Sequence, residues 1–307
     1  MRVVVTGGAG FIGSHVADAF LERGDEVLVI DDLSSGRRDR IPMQAAFTEL
    51  DVADDGQLRT RLEDFAPAVI CHLAAQSSVT VSVERPDLDF ASNVRGTFNV
   101  CETAAELGAR VIFASTGGAL YGNGAPLPTP ETFVAQPLSP YGASKLAGEA
   151  FVATQARFRD LPHVVLRLGN VYGPRQNPHG EAGVVAIFSR RLLDAETPIV
   201  FGHGAPTRDY VHVADVVRAF THAADRELAG TYNVGNGKEV SVLELLDVLQ
   251  RAAHTDLEPR LEPLRPGELE RSSLDSQAIA ESLDWRPQIE FERGIAETFH
   301  WYAAEEG

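Results

Sequence analysis

The first half of the chain alternates short apolar runs, rich in β-branched residues, with longer stretches of helical periodicity. The apolar runs predict strands over residues 2–6, 26–31, 68–73, 110–115 and 163–168. Each run is almost continuously apolar, which indicates that both faces of the sheet are buried. Because helical patterns separate the runs, the sequence predicts an α/β fold, a parallel sheet covered by helices on both sides.

The character of the sequence changes after residue 168. Residues 169–183 are rich in glycine and proline and have no apolar period, which predicts a long loop. Helical patterns follow over residues 184–195, 213–224 and 242–253, and Ser241 is the expected N-cap of the last. We therefore predict a first domain over residues 1–168, with a return segment near 208–235, and a smaller α/β lobe over 169–307 that binds the substrate.

Three glycines, Gly7, Gly10 and Gly13, stand where the first strand meets a helix. In that context the glycines permit a tight turn, a close approach of the backbone to a pyrophosphate, and close packing of helix on strand. The pattern predicts a dinucleotide site in a Rossmann-type, doubly wound sheet.

Acidic residues at the end of the second strand indicate which dinucleotide binds. A carboxylate at Asp31 or Asp32 can accept both ribose hydroxyls of an adenosine and repels a 2′-phosphate. Arg37 and Arg38 follow closely and could instead accept that phosphate. The acids are weighted more heavily, so the prediction is NAD rather than NADP.

Tyr141 and Lys145 are predicted to share one face of a helix that Ser139 and Pro140 open. A lysine ammonium one turn away favours the phenolate, which can act as a general base. One exposed ion pair lowers the pKa of a tyrosine too little for this role, so partial burial and the positive nicotinamide must also favour the phenolate. A hydroxyl at the end of the fourth strand, from Ser115 or Thr116, can bond the same substrate oxygen.

Composition and charge exclude several classes of protein. The 307 residues include 27 Lys and Arg against 44 Asp and Glu, a net charge of −17, which disfavours nucleic acid and anionic membranes as partners. Cys71 and Cys101 lie in apolar stretches without metal or disulfide spacing, and the histidines form no metal motif. With no signal peptide or long apolar segment recognised, we expect a cytoplasmic protein without a metal.

These motifs together resemble the extended short-chain dehydrogenase/reductase family, and within it the UDP-glucose 4-epimerases. The resemblance extends over nearly the whole chain. It is carried by residues 6–13 (TGGAGFIG), 31–36 (DDLSSG), 51–52, 72–75 (HLAA), 93, 141–145 (YGASK), 170–176 (NVYGPRQ), 208–213 (RDYVHV) and 265–268 (RPGE).

The resemblance implies a bound NAD and 4-epimerisation of UDP-galactose and UDP-glucose through a transient 4-keto sugar, a reaction of galactose metabolism. It also implies a homodimer through helices near residues 93–106 and 141–158. The implied catalytic residues are Thr116, Tyr141 and Lys145. The implied cofactor residues are Gly7, Gly10, Phe11, Ile12, Gly13, Asp31, Asp32, Leu33, Ser34, Gly36, Asp51, Val52, Leu73, Ala74, Ala75, Gln76, Asn93, Ala114, Ser115, Tyr141, Lys145, Leu168 and Val171. The implied substrate residues are Thr116, Tyr141, Asn170, Val184, Phe201, Arg208, Arg265 and Glu268.

Related enzymes on this fold catalyse other reactions. Gly117 and Gly118 stand where nucleotide-sugar 4,6-dehydratases carry an Asp-Glu pair, which favours epimerisation over loss of water. Ser272 replaces a tyrosine of some relatives and could admit an N-acetyl sugar. The alternatives are another nucleotide-sugar epimerase, a net dehydrogenase or reductase, and a non-catalytic dinucleotide sensor.

Overall fold

The structure is a computed structural model that describes residues 1–178, 183–264 and 269–305. Its strands are β1 (Arg2–Thr6), β2 (Glu26–Asp31), β3 (Ala46–Glu49), β4 (Val69–His72), β5 (Arg110–Thr116), β6 (Val164–Leu168), β7 (Asn170–Tyr172), β8 (Ile199–Phe201), β9 (Thr207–Arg208), β10 (Tyr210–His212), β11 (Gly230–Val234), β12 (Val240–Ser241) and β13 (Arg260–Glu262). Its α-helices are α1 (Phe11–Glu22), α2 (Asp55–Phe65), α3 (Val79–Glu84), α4 (Pro86–Asp89), α5 (Gly96–Leu107), α6 (Pro140–Arg159), α7 (Val184–Leu193), α8 (Val213–Ala224), α9 (Val242–Ala253), α10 (Gln277–Leu283) and α11 (Phe291–Glu305). Short 3₁₀ turns lie at Arg38–Arg40 and Gly202–Gly204, and a π-helical turn at Phe90–Arg95 joins α4 to α5.

The central sheet confirms the predicted α/β fold. Its strand order is β11-β6-β5-β4-β1-β2-β3, and every neighbouring pair is parallel. This is the doubly wound dinucleotide-binding order with one further strand, and the order reverses beside β1. The five strands predicted from apolar runs all form, with ends that differ by no more than one residue.

Helices cover both faces of the sheet and bury its apolar side chains. On one face α1 and α8 enclose a core that includes Val16, Phe20, Val216 and Phe220. On the other face α2 and α5 pack through Leu58, Leu62, Val100 and Ala104. Burial of a large apolar side chain stabilises the fold by about 1.5–3 kcal/mol, so both layers contribute to holding the strand ends in place.

A third core lies in the lobe formed by α7, α9 and α11. Phe188, Leu246, Leu249 and Phe299 are among its buried side chains. The helix α9 begins as predicted, because Ser241 and Glu244 form a reciprocal capping box at its N-terminus. The division into two domains at residue 168 stays a prediction. Two elements that follow this residue pack with elements that precede or end at it: α8 lies beside α1, and β11 pairs with β6 in the central sheet.

The prediction of a continuous loop over residues 169–183 is wrong at its start. Asn170–Tyr172 forms β7, which pairs in parallel with Tyr210–His212 about 40 residues later. Local sequence does not reveal this strand, because its partner is distant and its three residues are too few to show a period. Residues 179–182 lie outside the described part of the chain.

Candidate active site

The glycine turn between β1 and α1 is closed by contacts that no side chain would allow. Gly7 has φ +70°, and a β-carbon there would lie 2.7 Å from the Ala74 nitrogen. A β-carbon on Gly13 would lie 2.1 Å from the Gly7 carbonyl oxygen. Gly10, Phe11 and Ile12 are half-buried at the start of α1, whose first turn has no acidic side chain. Free backbone N–H groups and the helix dipole therefore fit a diphosphate here.

Asp31 lies at the end of β2 and is 7% exposed. Its Oδ2 accepts the N–H of Ala9 in the glycine turn, and its Oδ1 accepts the N–H of Leu33, both at 2.9 Å. Burial raises the pKa of this carboxyl group. Each oxygen keeps a lone pair, so the carboxylate can still accept ribose hydroxyls. Asp32 is exposed instead and accepts from Ser34, so the structure distinguishes the two acids.

The two arginines that could hold a 2′-phosphate already have acidic partners. Arg37 donates from Nε to Asp39 at 3.0 Å. The Arg38 guanidinium lies 3.7 Å from Glu49 and 4.9 Å from the centre of the Phe47 ring. Both arginines are exposed. This arrangement agrees with the preference for NAD.

The loop after β4 forms one wall of the crevice. Leu73, Ala74, Ala75 and Gln76 are half-buried there. Asn93 fixes this loop, because its Oδ1 accepts the Gln76 N–H at 2.9 Å and its Nδ2 donates to the Gln76 carbonyl at 2.8 Å.

Beneath the wall, His72 is buried between the hydroxyls of Thr6 and Thr97. Burial lowers the pKa of His72 to about 3, so the ring is neutral and packs as a core residue.

Beyond β3, Asp51 is exposed and accepts the Ala53 N–H, whereas Val52 is buried. Ser34 is exposed, and Gly36 packs closely against Asp31.

Tyr141 lies in the first turn of α6, which Ser139 caps by accepting the Gly142 N–H at 3.2 Å. Its hydroxyl faces the side chain of Thr116, which ends β5. Burial raises the pKa of Tyr141 to about 12, the neighbouring Thr116 hydroxyl lowers it, and the charge of Asp89 raises it further. The N-cap thus places the phenol at the carboxyl end of the sheet.

Lys145 follows Tyr141 by one helical turn and is 4% exposed. Its Nζ donates to the Ala114 carbonyl at 3.0 Å and lies 4.9 Å from the centre of the Phe113 ring. Burial lowers the pKa of Lys145 to about 8, while the charges of Asp89 and Glu149 raise it. Burial is the largest influence on the pKa of Tyr141, and it opposes formation of the phenolate. The effect of Lys145 on that pKa stays a prediction.

The structure separates the two candidate hydroxyls of β5. Successive side chains of a strand point to opposite faces. Thr116 faces Tyr141, whereas Ser115 donates to Glu149 Oε1 at 2.5 Å. Glu149 in turn forms an ion pair with Arg167 at 2.7 Å. Sequence reasoning missed this pair, although the spacing of Glu149 one turn after Lys145 is a usable signal.

Asn170 stands next to the Thr116 hydroxyl. Its Oδ1 is buried and has no hydrogen-bond partner among the described residues. A β-carbon on Gly118 would lie 3.1 Å from this oxygen and 4.0 Å from Thr116 Oγ1. A β-carbon on Gly117 would lie 2.5 Å from the Leu274 side chain, so a larger residue at position 117 would require that side chain to move. An unpaired amide oxygen beside the threonine is suited to accept a hydroxyl from a ligand.

The remaining candidates for substrate binding belong to the smaller lobe. Arg208 is half-buried on β9 and donates to the Thr207 carbonyl at 2.9 Å. Val184 begins α7 and Phe201 ends β8, and both are half-buried. The predicted contacts Arg265 and Glu268 lie outside the described residues.

Three other predicted positions lie on or beside the strands β6, β7 and β9. Leu168 is buried at the end of β6, and Val171 is half-buried on β7. Ser272 is buried, and its N–H donates to the Thr207 carbonyl at 3.2 Å, next to Arg208.

Within residues 1–178, 183–264 and 269–305, no helix is both long and apolar enough to cross a membrane. The same part of the chain contains no group of three His, Cys, Asp or Glu side chains that could hold a metal ion.

Comparison with known proteins gives consistent results along the chain. The profile of the NAD dependent epimerase/dehydratase family matches residues 3–235. A UDP-glucose 4-epimerase of Mycolicibacterium smegmatis is 44% identical, over 98% of both chains. The crystal structure of a Thermotoga maritima UDP-glucose 4-epimerase with UDP-glucose superimposes with a TM-score of 0.98 at 41% identity, covering 100% of both chains. That of a Thermus thermophilus UDP-glucose 4-epimerase with NAD gives 0.92 at 42%, covering 99% of both.

Proposed function

The chain belongs to the NAD dependent epimerase/dehydratase family, and we propose that it interconverts UDP-galactose and UDP-glucose by 4-epimerisation. It is an NAD-dependent isomerase of UDP-sugars. The observation that carries the assignment of the chemistry is the placement of Tyr141 opposite the Thr116 side chain at the carboxyl end of β5. The glycine turn lies at the same end of the sheet, because β1, β4 and β5 are neighbouring parallel strands. In a doubly wound sheet this edge is where ligands bind.

The chain's own part in the reaction is to move and hold one proton. Tyr141, as the phenolate, accepts the proton of the sugar's 4-hydroxyl, and Thr116 hydrogen-bonds the same oxygen. Lys145 supplies positive charge one turn below the phenol. NAD, when bound, supplies a reversible hydride acceptor for C4 and a positive ring that favours the phenolate.

Inversion requires that C4 take a hydride back on the opposite face of the sugar while the oxygen at C4 regains its proton. The 4-keto sugar turns about its bond to the diphosphate, Tyr141 gives its proton back to the oxygen at C4, and no net oxidation results. Arg208, with Arg265, holds the diphosphate so that only the sugar turns. Asn170, Val184 and Phe201 contact the sugar nucleotide, and Glu268 binds its ribose.

Dehydration is disfavoured by packing around Gly117 and Gly118. Loss of water needs an acid and a base near the carbons next to C4. Here both positions are glycine, and the side chains of Leu274 and Asn170 lie close to positions 117 and 118. Ser272 leaves the sugar end with a small side chain, so we also propose some turnover of UDP-N-acetylglucosamine.

We further propose a cytoplasmic homodimer. Phe98 on α5 and Phe158 on α6 are exposed, as is Phe90 in the preceding turn. Exposed aromatic side chains on neighbouring helices support a protein interface. Cys71 and Cys101 are free and buried, which suits a reducing compartment. Sedimentation of the wild type and of Phe98→Glu tests the dimer, because a charge at its centre would produce monomers.

The decisive test is incubation of the purified protein with UDP-galactose, followed by separation of the two epimers. We expect UDP-glucose to accumulate to a fixed ratio, without steady release of NADH into solution. Continuous growth of NADH absorbance would instead assign a net dehydrogenase. Tyr141→Phe should lower kcat by about 10²–10⁴-fold with retained NAD, because it removes only the group that transfers the proton.

A further inference from the structure

Asp89 is a buried carboxylate that belongs neither to the glycine turn nor to the Tyr141–Lys145 motif. It ends α4 and is 2% exposed. Its Oδ1 accepts from Gln76 Nε2 at 3.0 Å and from Asn93 Nδ2 at 2.9 Å. The Asn93 Nδ2 also donates to Ser144 Oγ at 3.1 Å, one residue before Lys145. One amide group therefore links the carboxylate to the helix that carries the lysine.

Of the two carboxylates whose charges act on Lys145, Asp89 is the one that is not already paired with an arginine. Within the described residues neither Lys145 nor Asp89 forms a direct ion pair. Glu149, the other carboxylate that acts on the lysine, is paired with Arg167 at 2.7 Å. A buried charge without compensation costs several kcal/mol, so the lysine requires a negative charge within the site.

The other titratable groups near the pair do not provide that charge. His72 on β4 is neutral, since burial lowers its pKa to about 3. Tyr141 carries a phenolate only while it acts as a base. Arg85, at the N-terminus of α4, is exposed and bonded to Asp87. Asp89 is thus the carboxylate whose charge remains available to Lys145.

We propose that Asp89 is a positioning residue for the epimerisation: its carboxylate fixes Gln76 and Asn93 in the cofactor wall, and its charge balances the ammonium of Lys145 on the helix that Asn93 contacts through Ser144. The inference rests on the proposed function, in which Lys145 and Tyr141 act together. Asp89 acts on both groups in the same direction, because its negative charge raises the pKa of Tyr141 and that of Lys145.

The variant Asp89→Asn tests this role. It keeps an oxygen that can accept from both amides and removes only the charge. Both limbs of the pH profile of kcat should therefore move to lower pH, each by roughly one pH unit. The direction holds whichever group titrates first, since loss of a negative charge lowers both macroscopic pKa values. Asp87→Asn, two residues earlier and exposed, is the matched control and should leave both limbs in place.

A second measurement does not depend on turnover. The phenolate of Tyr141 can be followed by ultraviolet difference absorbance, taking the difference between each protein and its Tyr141→Phe form. In Asp89→Asn this phenolate should appear at lower pH than in the wild type. Asp89→Ser removes the same charge, keeps a hydroxyl acceptor, and should move the titration in the same direction.

Failure of the inference and failure of the proposed function are distinguishable. Limbs that stay in place, or move in opposite directions, while kcat falls would show that Asp89 only holds the loop. An unchanged phenolate titration in both Asp89 variants would overturn the proposal as well. If the wild type does not epimerise UDP-galactose, the function is refuted, and the phenolate titration still decides the role of Asp89.

Discussion

Removal of Arg167 is expected to destabilise the protein far more than removal of an exposed arginine. The side chains of Arg167 and Glu149 are only 10% and 8% exposed. The guanidinium donates from Nη2 and Nε to the Glu149 carboxylate at 2.7 and 2.9 Å. From Nη1 it donates to the Tyr121 hydroxyl at 2.8 Å and to the Glu131 carbonyl at 3.2 Å. The pair therefore holds α6 to β6 beneath the candidate active site.

The magnitude follows from what Arg167→Met leaves behind. Methionine fills much of the volume, but Glu149 keeps only the Ser115 hydroxyl as a donor among the bonds described above. Breaking a buried pair by removing one partner costs about 3–5 kcal/mol, because a buried charge is left uncompensated. Arg251 pairs with Asp247 on the surface of α9, where both side chains are more than 60% exposed. Arg251→Met should therefore cost no more than about 1 kcal/mol.

Urea unfolding of both variants measures the two free energies under the same conditions. A third variant, Arg167→Met with Glu149→Leu, removes both charges and should be more stable than Arg167→Met alone, since apolar replacement of a whole buried pair is tolerated. The reasoning is refuted if Arg167→Met costs no more than Arg251→Met. It is equally refuted if the double variant is no more stable than the single one.

Three further predictions concern the candidate active site. Thr116→Ala should lower kcat with little change in the free energy of unfolding. Ser115→Ala should instead cost about 1 kcal/mol of stability, because Glu149 loses a hydrogen-bond donor. Equal losses of kcat in the two variants would contradict this geometry. The pKa of Lys145 is lowered from 10.5 to about 8, so the folded state binds fewer protons than the unfolded state between these values, and its contribution to stability rises with pH there. Lys145→Met should remove this dependence of stability on pH, stabilise the protein near neutral pH and abolish turnover. Urea unfolding at neutral and alkaline pH measures the dependence, and an unchanged dependence in Lys145→Met would contradict the prediction. Gly117→Ala should cost about 1–3 kcal/mol in thermal unfolding because its β-carbon meets Leu274 at 2.5 Å, whereas Gly24→Ala, with φ +83° and open space, tests backbone strain alone.

Much of the central domain could be predicted from local sequence. The apolar runs located the strands because a strand buried on both faces has no polar alternation. Gly7 and Gly13 were recognisable because the contacts around them exclude any β-carbon. A turn of this kind therefore needs glycines at a fixed spacing, which can be read from the sequence. Ser139 and Ser241 were recognisable as N-caps because a cap needs a particular side chain at one position.

Other features depend on partners that lie far away in the chain. The strand β7 exists because of Tyr210–His212, and Asp89 is linked by hydrogen bonds to α6 through Asn93. The choice between Ser115 and Thr116 needed the position of Glu149, which the strand's own sequence does not contain. The extent to which burial raises the pKa of Tyr141 likewise depends on distant residues, because burial is a property of the whole fold.

The sequence by itself determined the class of fold and the glycine turn, and it singled out Tyr141 and Lys145 as candidates, since these depend on periodicity and on spacings within one element. Only the tertiary structure decided which hydroxyl faces the phenol, which charges are paired, and which carboxylate is buried beside the cofactor wall. Hydrogen bonds and Coulomb interactions act over a few ångströms in space, and the residues they join here are separated by tens of positions along the chain.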